Sequence, residues 1–191
     1  MIAQNRIFSI VTRFFPFLAA AICSIAIAPI AARAAAQPSP SSAGRPLFDP
    51  ERFFTGRTFS WGVIENRGGA PTEVVTTETS GNLVHGQLDL EQTLHVGNKP
   101  PQHRSWKLRR IDPRHYQATA NDMLGAARGI VTGNVFSWTF TLALKPGNAL
   151  FNVRMTQYMY LQPDGATMVN RSVIRKFGLV IGEVTEEFHQ L

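Results

Sequence analysis

The sequence predicts an all-β protein, an antiparallel up-and-down β-barrel of about eight to ten strands. After residue 53, turn-forming residues recur at short intervals, and the segments between them are short and rich in Val, Thr, Phe, Trp and Tyr. No long helical periodicity occurs in the same region. Because an open sheet of that many strands would expose two long edges, we expect the sheet to close on itself.

Residues 1–36 differ from the rest of the chain and are typical of a cleavable signal peptide. Arg6 and Arg13 are the only charges ahead of an almost purely apolar run over residues 14–28. The sequence Ala32-Arg33-Ala34 follows and has the small residues that a cleavage site requires. We therefore expect the chain to be exported and cleaved after Ala34 or Ala36. An uncleaved membrane anchor is the alternative, although the apolar run is short for a span and contains a proline.

The single cysteine bears on whether the exported chain carries a lipid. Cys23 lies inside the predicted signal peptide, and Ile22 precedes it where a lipoprotein signal needs a small residue. We therefore expect a freed, soluble chain rather than a lipid-anchored one. Such a chain has no cysteine, so its core must hold it together without disulfides.

The remaining chain divides into a lead-in over residues 37–52 and a barrel domain over 53–191. The lead-in begins with the Pro/Ser-rich stretch QPSPSSAG, which predicts a flexible segment, and residues 50–54 suit one helical turn ahead of the first strand. Gly-Asn and Asp-Gly pairs supply the left-handed conformations that tight hairpins need. Turns are predicted on such signals at residues 66–69, 80–82, 97–98, 112–113, 133–134, 146–148 and 163–165.

Alternation along the predicted strands indicates which faces point inward. Residues 135–144 place bulky apolar side chains on one face and small, mildly polar ones on the other, as a strand with one buried face does. Residues 151–161 repeat this pattern, and residues 83–96 show it when taken as one strand. The inward apolar residues that we expect to line a cavity are Trp106, Phe136, Trp138, Phe140 and Met155.

Four polar residues share these inward faces. They are Gln92, Arg104, Gln157 and Asn170, from four different strands. A buried polar group costs about 1–3 kcal/mol unless it finds a partner, so we expect the four to satisfy one another, with the Arg104 guanidinium against the two glutamine carbonyl oxygens. One interpretation is an internal hydrogen-bond network that fixes strand register. The other is a polar recognition point at the bottom of an apolar pocket.

Charge and histidine spacing argue against several classes of partner. The chain has 19 Lys and Arg against 13 Asp and Glu, but three of the arginines lie in residues 1–34. The exported chain therefore carries 16 basic residues and no dense basic stripe, so we expect no nucleic-acid partner. The five histidines are not spaced as metal ligands, and no nucleotide-binding motif occurs, so neither a metal nor a cofactor is expected.

Short segments in a fixed order resemble the bacterial envelope proteins of the domain of unknown function family 3833. The matching segments are Phe54-Thr-Gly56, Trp61-Gly62, Arg67-Gly68, Leu88-Asp89-Leu90, Arg104-Ser-Trp106, Asp122…Gly125…Ala127…Gly129, Gly133-Asn134, Trp138, Asn170-Arg171 and Lys176-Phe-Gly178. The resemblance covers roughly residues 53–188 and implies a lipocalin-like barrel in the cell envelope. Together with the predicted signal peptide, it implies the periplasm of a Gram-negative bacterium as the location. It also implies two departures, because Gln92 and Gln157 stand where the family pattern carries acidic residues.

Three functions are compatible with these observations. The first is binding of a small apolar or amphipathic, lipid-like molecule inside the barrel, with the polar residues contacting its head group. The second is a non-enzymatic envelope assembly or interaction module with a filled core, which would use outward residues such as Arg154, Tyr158 and Tyr160. The third is an enzyme that uses Asp122 or a carboxylate in the pocket. A peripheral association with the envelope is a further expectation.

Overall fold

Ten antiparallel strands form a closed barrel in the computed structural model, which describes residues 46–191. The predicted signal peptide and most of the lead-in lie outside the described residues. Each strand pairs with its neighbours in sequence, and β1 pairs with β10 to close the sheet, so the predicted up-and-down barrel is confirmed. The strands are β1 Gly56–Asn66, β2 Pro71–Val84, β3 Gln87–Val96, β4 Gln102–Arg110, β5 His115–Ala120, β6 Met123–Thr132, β7 Val135–Ala143, β8 Asn152–Leu161, β9 Thr167–Lys176 and β10 Leu179–Gln190.

A short helix, α1 (Pro50–Phe54), precedes β1 and confirms the predicted helical turn. The Asp49 side chain accepts hydrogen bonds from the backbone N–H groups of Glu51 and Arg52, and Pro50 suits the first helical position. Phe53 and Phe54 are buried in the core of the barrel. Phe48 and Pro50, among the last residues of the predicted lead-in, are buried as well.

The helix covers one end of the barrel. Phe48, just ahead of it, stacks on Phe136 of β7 with ring centres 6.0 Å apart, and its N–H donates to the carbonyl of Gly133 between β6 and β7. The connections β1–β2, β3–β4, β5–β6, β7–β8 and β9–β10 lie at the other end, which we call the distal end. The interior between the two ends is filled mainly by aromatic, leucine and methionine side chains.

One predicted turn is wrong, because residues 80–82 lie inside β2. A Cβ atom at Gly81 would stand 1.8 Å from the carbonyl oxygen of Phe54, so glycine is needed there for the close approach of α1 and not for a turn. The hairpin instead turns at His85-Gly86, which divides residues 83–96 between β2 and β3. Both turn residues have positive φ, as a tight two-residue hairpin requires.

Candidate functional site

The barrel encloses a cavity of about 60 Å³. Its lining combines aromatic and leucine side chains with polar ones drawn from six strands. The polar residues of the lining are Thr77, Gln92, Arg104, Gln157, Asn170 and Glu186. Two of these, Thr77 and Glu186, are additional to the polar residues that alternation selects.

Aromatic rings form one wall of the cavity. Trp106 on β4 and Trp138 on β7 stack with ring centres 4.9 Å apart and an interplanar angle of 24°. Phe140, which does not itself line the cavity, lies edge-on to both indoles, with ring centres 5.2 Å from Trp106 and 5.5 Å from Trp138. Phe136 lies 5.3 Å from Trp138. Because offset and edge-to-face pairs of this kind attract one another, these ring contacts stabilise the interior beside the cavity.

Each indole N–H on this wall donates to a glutamine on the neighbouring strand. Trp106 Nε1 donates to Gln92 Oε1 over 2.8 Å, and Trp138 Nε1 donates to Gln157 Oε1. The amide of Gln92 in turn donates to Thr79 Oγ1 over 3.1 Å. The prediction that Arg104 contacts the two glutamine oxygens is wrong, because the guanidinium pairs with Asp122 instead.

Arg104 forms an ion pair with Asp122 at the distal end of the cavity. Its Nε lies 3.0 and 2.9 Å from the two carboxylate oxygens, and a terminal nitrogen lies 2.8 Å from Oδ2. Asp122 belongs to the connection between β5 and β6, so strand alternation gave no signal that it faces Arg104. The Arg104 side chain is 15% exposed and that of Asp122 is 34% exposed, so the pair sits where the cavity approaches solvent.

A buried carboxylate, Glu186 on β10, forms the opposite polar side of the cavity. Its Oε1 accepts hydrogen bonds from the hydroxyls of Ser60 and Thr77, both at 3.0 Å, and its Oε2 accepts from Asn170 Nδ2 at 3.3 Å. Burial raises the pKa of the Glu186 carboxyl above its ordinary value, although these hydrogen bonds and the charge of Arg104 act in the opposite direction. A protonated Glu186 can donate a hydrogen bond as well as accept one.

The hydrogen bonds of Glu186 continue towards the aromatic wall. Asn170 Nδ2 also donates to Ser172 Oγ over 3.1 Å, and the amide of Gln157 donates to the same hydroxyl over 2.8 Å. Asn170 and Ser172 are each 1% exposed. The chain of contacts therefore connects Glu186 through β9 and β8 to Trp138, which is an internal hydrogen-bond network between strands.

The sequence pattern of one family, described as a protein of unknown function (DUF3833), matches residues 28–190. The chain belongs to the DUF3833 family. This agrees with the resemblance carried by the sequence segments. No curated protein has a sequence that matches this DUF3833 chain.

Solved structures with low sequence identity share the fold of the DUF3833 chain. An S-type phycobiliprotein lyase from Guillardia theta aligns with a TM-score of 0.55 and 8% identity, over 74% of this chain and 90% of that one. A protein of unknown function from the DUF3598 family of Nostoc punctiforme aligns with a TM-score of 0.54 and 14% identity. That alignment covers 77% of this chain and 51% of that one, so the DUF3833 chain spans about half of its length. At these identities the likeness establishes the β-barrel fold, in agreement with the predicted lipocalin-like class.

The structure places the nine predicted site residues of the DUF3833 chain in two groups. Seven of them line the cavity, namely Gln92, Arg104, Trp106, Phe136, Trp138, Gln157 and Asn170. Phe140 and Met155 are buried in the surrounding core and do not line it. Glu186 is the functional candidate that we did not predict. Its signal was alternation along β10, where it lies between Val184 and Phe188 on the inward face.

In the part of the chain that the structure describes, two buried side-chain oxygen atoms have no hydrogen-bond partner. They are Asn170 Oδ1 and Thr58 Oγ1. An unsatisfied buried polar group costs about 1–3 kcal/mol, so a donor that reaches Asn170 Oδ1 would stabilise the folded DUF3833 chain. The cavity next to Asn170 is therefore suited to a molecule or group that donates hydrogen bonds.

Residues 46–191 of the DUF3833 chain contain no group of three or more His, Cys, Asp or Glu residues that could hold a metal ion. In the same part of the chain, no helix is long and apolar enough to cross a membrane.

Proposed function

We propose that the protein binds a small amphipathic molecule, whose polar group donates hydrogen bonds to Asn170 and Glu186 inside the barrel. The observation that carries this proposal is the unpartnered Oδ1 of Asn170, a side chain that is 1% exposed and lines the cavity. A hydroxyl or ammonium group would supply the missing donor. Glu186 lies beside Asn170 in the lining, and its carboxyl oxygens can accept a hydrogen bond from the same polar group.

The size of the cavity limits what enters it. A buried water needs about 10–15 Å³ on this measure, so 60 Å³ holds roughly four water molecules. A pocket for a whole drug-sized ligand has about 300 Å³ or more. We infer that only the head group enters and that the apolar part lies towards the distal end, where Leu94 and Arg104 line the cavity. The Arg104–Asp122 ion pair would then act at the entrance.

We also propose that the protein works in the periplasm as a freed, soluble chain. The basic start, the short apolar run and the Ala-Arg-Ala sequence of residues 1–36 support export. Ile22 ahead of Cys23 supports a chain without a lipid. The mass of the denatured protein, purified from a bacterium that expresses the full sequence, tests both points. A mass that starts after Ala34 or Ala36 is expected, and an unprocessed or lipid-modified mass would contradict the proposal.

Native mass spectrometry of that protein tests the binding function. We expect a reproducible non-covalent adduct that is absent from the denatured spectrum. The variant Arg104→Leu should lose most of the adduct while keeping most of its thermal stability, since Arg104 lies at the entrance. Arg109→Leu, on the same strand but exposed, is the matched control and should retain the adduct. Equal loss of stability and adduct in Arg104→Leu would argue against recognition by Arg104.

A second candidate function, an envelope interaction module with a filled core, is favoured by the small cavity. The outward face of β8 carries Arg154, Tyr158 and Tyr160, and it would then contact a partner protein. In this case the native spectrum shows a bare chain, and the melting temperature does not change when a lipid extract of the host is added. A ligand-binding barrel should instead melt at a higher temperature in the extract.

A further inference from the structure

Two connections lie side by side at the distal end of the barrel. The Lys176 ammonium lies 5.6 Å from the ring centre of Phe177, in the β9–β10 turn, and 5.5 Å from that of Phe151, which ends the β7–β8 connection. We call residues 145–154 and 175–179 the distal rim. We propose that the distal rim docks the protein on the surface of a bilayer that contains anionic phospholipids.

The distal rim exposes large apolar side chains. Leu150, Phe177 and Leu179 are 63%, 78% and 65% exposed. Phe177 also has a φ of 50°, in the left-handed region where Asn and Gly are favoured and a bulky residue is uncommon. A side chain so exposed contributes little to the packing of the barrel. A costly backbone conformation that displays an aromatic ring at a turn therefore indicates a role outside the barrel.

Two arginines of the distal rim face each other on adjacent strands. Arg154 on β8 and Arg175 on β9 are direct cross-strand partners, and with Phe177 they line a surface groove of about 560 Å³. Like charges in this arrangement repel. Neither arginine takes part in an ion pair within the part of the chain that the structure describes. An anion that binds between them would relieve the repulsion.

The sequence of the distal rim contains basic residues and no acidic one. Residues 141–156 and 173–181 contain four basic residues and no acidic one. Asp122, in the β5–β6 connection, and Glu183, on β10, are already paired with Arg104 and Arg171. The distal rim thus carries a local positive potential.

The combination of charge and apolar exposure favours a lipid surface over a free anion. A small soluble anion would contact the arginines and leave Leu150, Phe177 and Leu179 in water. At a bilayer surface the basic groups meet lipid phosphates while apolar side chains enter the boundary of the acyl chains. This inference does not depend on what occupies the cavity.

Vesicle co-sedimentation tests the proposal. The full chain is expressed in a bacterium and recovered from the soluble extract, and its mass is measured so that all variants are compared with the same N terminus. We expect binding to vesicles of phosphatidylcholine mixed with phosphatidylglycerol, weaker binding at high salt, and little binding to phosphatidylcholine alone. The double variant Arg154→Gln/Arg175→Gln should partition about 25-fold more weakly, at roughly fivefold per charge.

Matched variants separate the distal rim from net charge and from stability. Lys107→Gln/Arg109→Gln removes the same charge from exposed positions of β4 and should bind as the wild type does. Phe177→Asn replaces the ring with a residue that suits a φ of 50°, so it should keep or raise the melting temperature while weakening vesicle binding. Equal binding by the two double variants would overturn the proposal. A second outcome would also overturn it. If inorganic phosphate raised the melting temperature but the protein did not sediment with anionic vesicles, the arginines would bind only a free anion.

Discussion

Trp106 and Trp138 stack inside the barrel at 4.9 Å although their strands, β4 and β7, are not neighbours in the sheet. Each indole donates its N–H to a glutamine, Gln92 or Gln157, on the strand beside it. The two tryptophans therefore join four strands through one stacked pair and two hydrogen bonds. This arrangement couples the apolar core to the polar network that surrounds Asn170 and Glu186.

Trp138→Phe is expected to lower the free energy of unfolding by about 2 kcal/mol, because it removes the only donor to Gln157 Oε1 among the described contacts and shrinks the stacked ring. Urea unfolding followed by circular dichroism measures the change. Trp61→Phe makes the same substitution at a side chain that is 57% exposed on the outer wall, and it should change the free energy by less than about 0.5 kcal/mol. Similar losses of unfolding free energy in both variants would show that the stacking and hydrogen bond of Trp138 do not stabilise the fold.

Glu186→Gln is expected to stabilise the protein by an amount that grows with pH. Burial holds the pKa of Glu186 above its value in the unfolded chain, so the folded protein keeps a proton that the unfolded chain releases. The wild type therefore has its full stability from this group below the unfolded pKa of about 4.3 and loses it as pH rises through the folded pKa. Glutamine does not titrate, so the difference in free energy of unfolding between Glu186→Gln and the wild type should rise over this pH window and then level off.

Chemical unfolding at several pH values from 4 to 9 measures this difference. Glu78→Gln, at an exposed position of β2, is the matched control and should stay within about 0.5 kcal/mol of the wild type at neutral pH. If Glu186→Gln were less stable than the wild type at high pH, the three hydrogen bonds to the carboxylate would outweigh its burial, and the direction of the pKa shift would be wrong.

Gly81→Ala is expected to lower the free energy of unfolding by about 3 kcal/mol, because the new methyl group would overlap the Phe54 carbonyl oxygen and displace α1 from the barrel. Ser80→Ala, at the exposed neighbouring position, should cost less than about 0.5 kcal/mol. Hydrogen exchange would show faster exchange in α1 of Gly81→Ala than in the wild type. Unchanged protection of α1 would mean that the helix does not rest on this glycine.

Alternation and turn chemistry account for the part of this fold that the sequence could predict. The bulky residues of β7, Phe136, Trp138 and Phe140, alternate strictly and lie inside as expected. Gly-Asn and Asp-Gly sequences form turns where the glycine is not needed for a close contact with another element. Residues 80–82 broke this rule because Gly81 serves the contact with α1, and that contact joins distant parts of the sequence.

The features that the sequence did not predict depend on backbone conformations or contacts that alternation and turn residues do not reveal. The β9–β10 turn escaped prediction because Phe177 is a poor residue for a positive φ, and only the structure shows that the chain adopts one there. The predicted partners of Arg104 are wrong because its actual partner, Asp122, lies in a connection between strands, where alternation gives no information. Glu186 was missed because a carboxylate is costly to bury, and its donors come from three other strands, β1, β2 and β9.

The pairing of β1 with β10 has a consequence for how the chain reaches this structure. Thr58 lies opposite Gln190 in that pairing, so the contact spans nearly the whole barrel sequence and gives the fold a high contact order. Barrels of this kind fold in milliseconds to seconds, because the entropy of closing a long loop must be overcome first. A chain cut short before β10 would leave β1 and β9 with bare edges that can pair with other chains. Truncated or incomplete copies should therefore aggregate instead of persisting as smaller barrels.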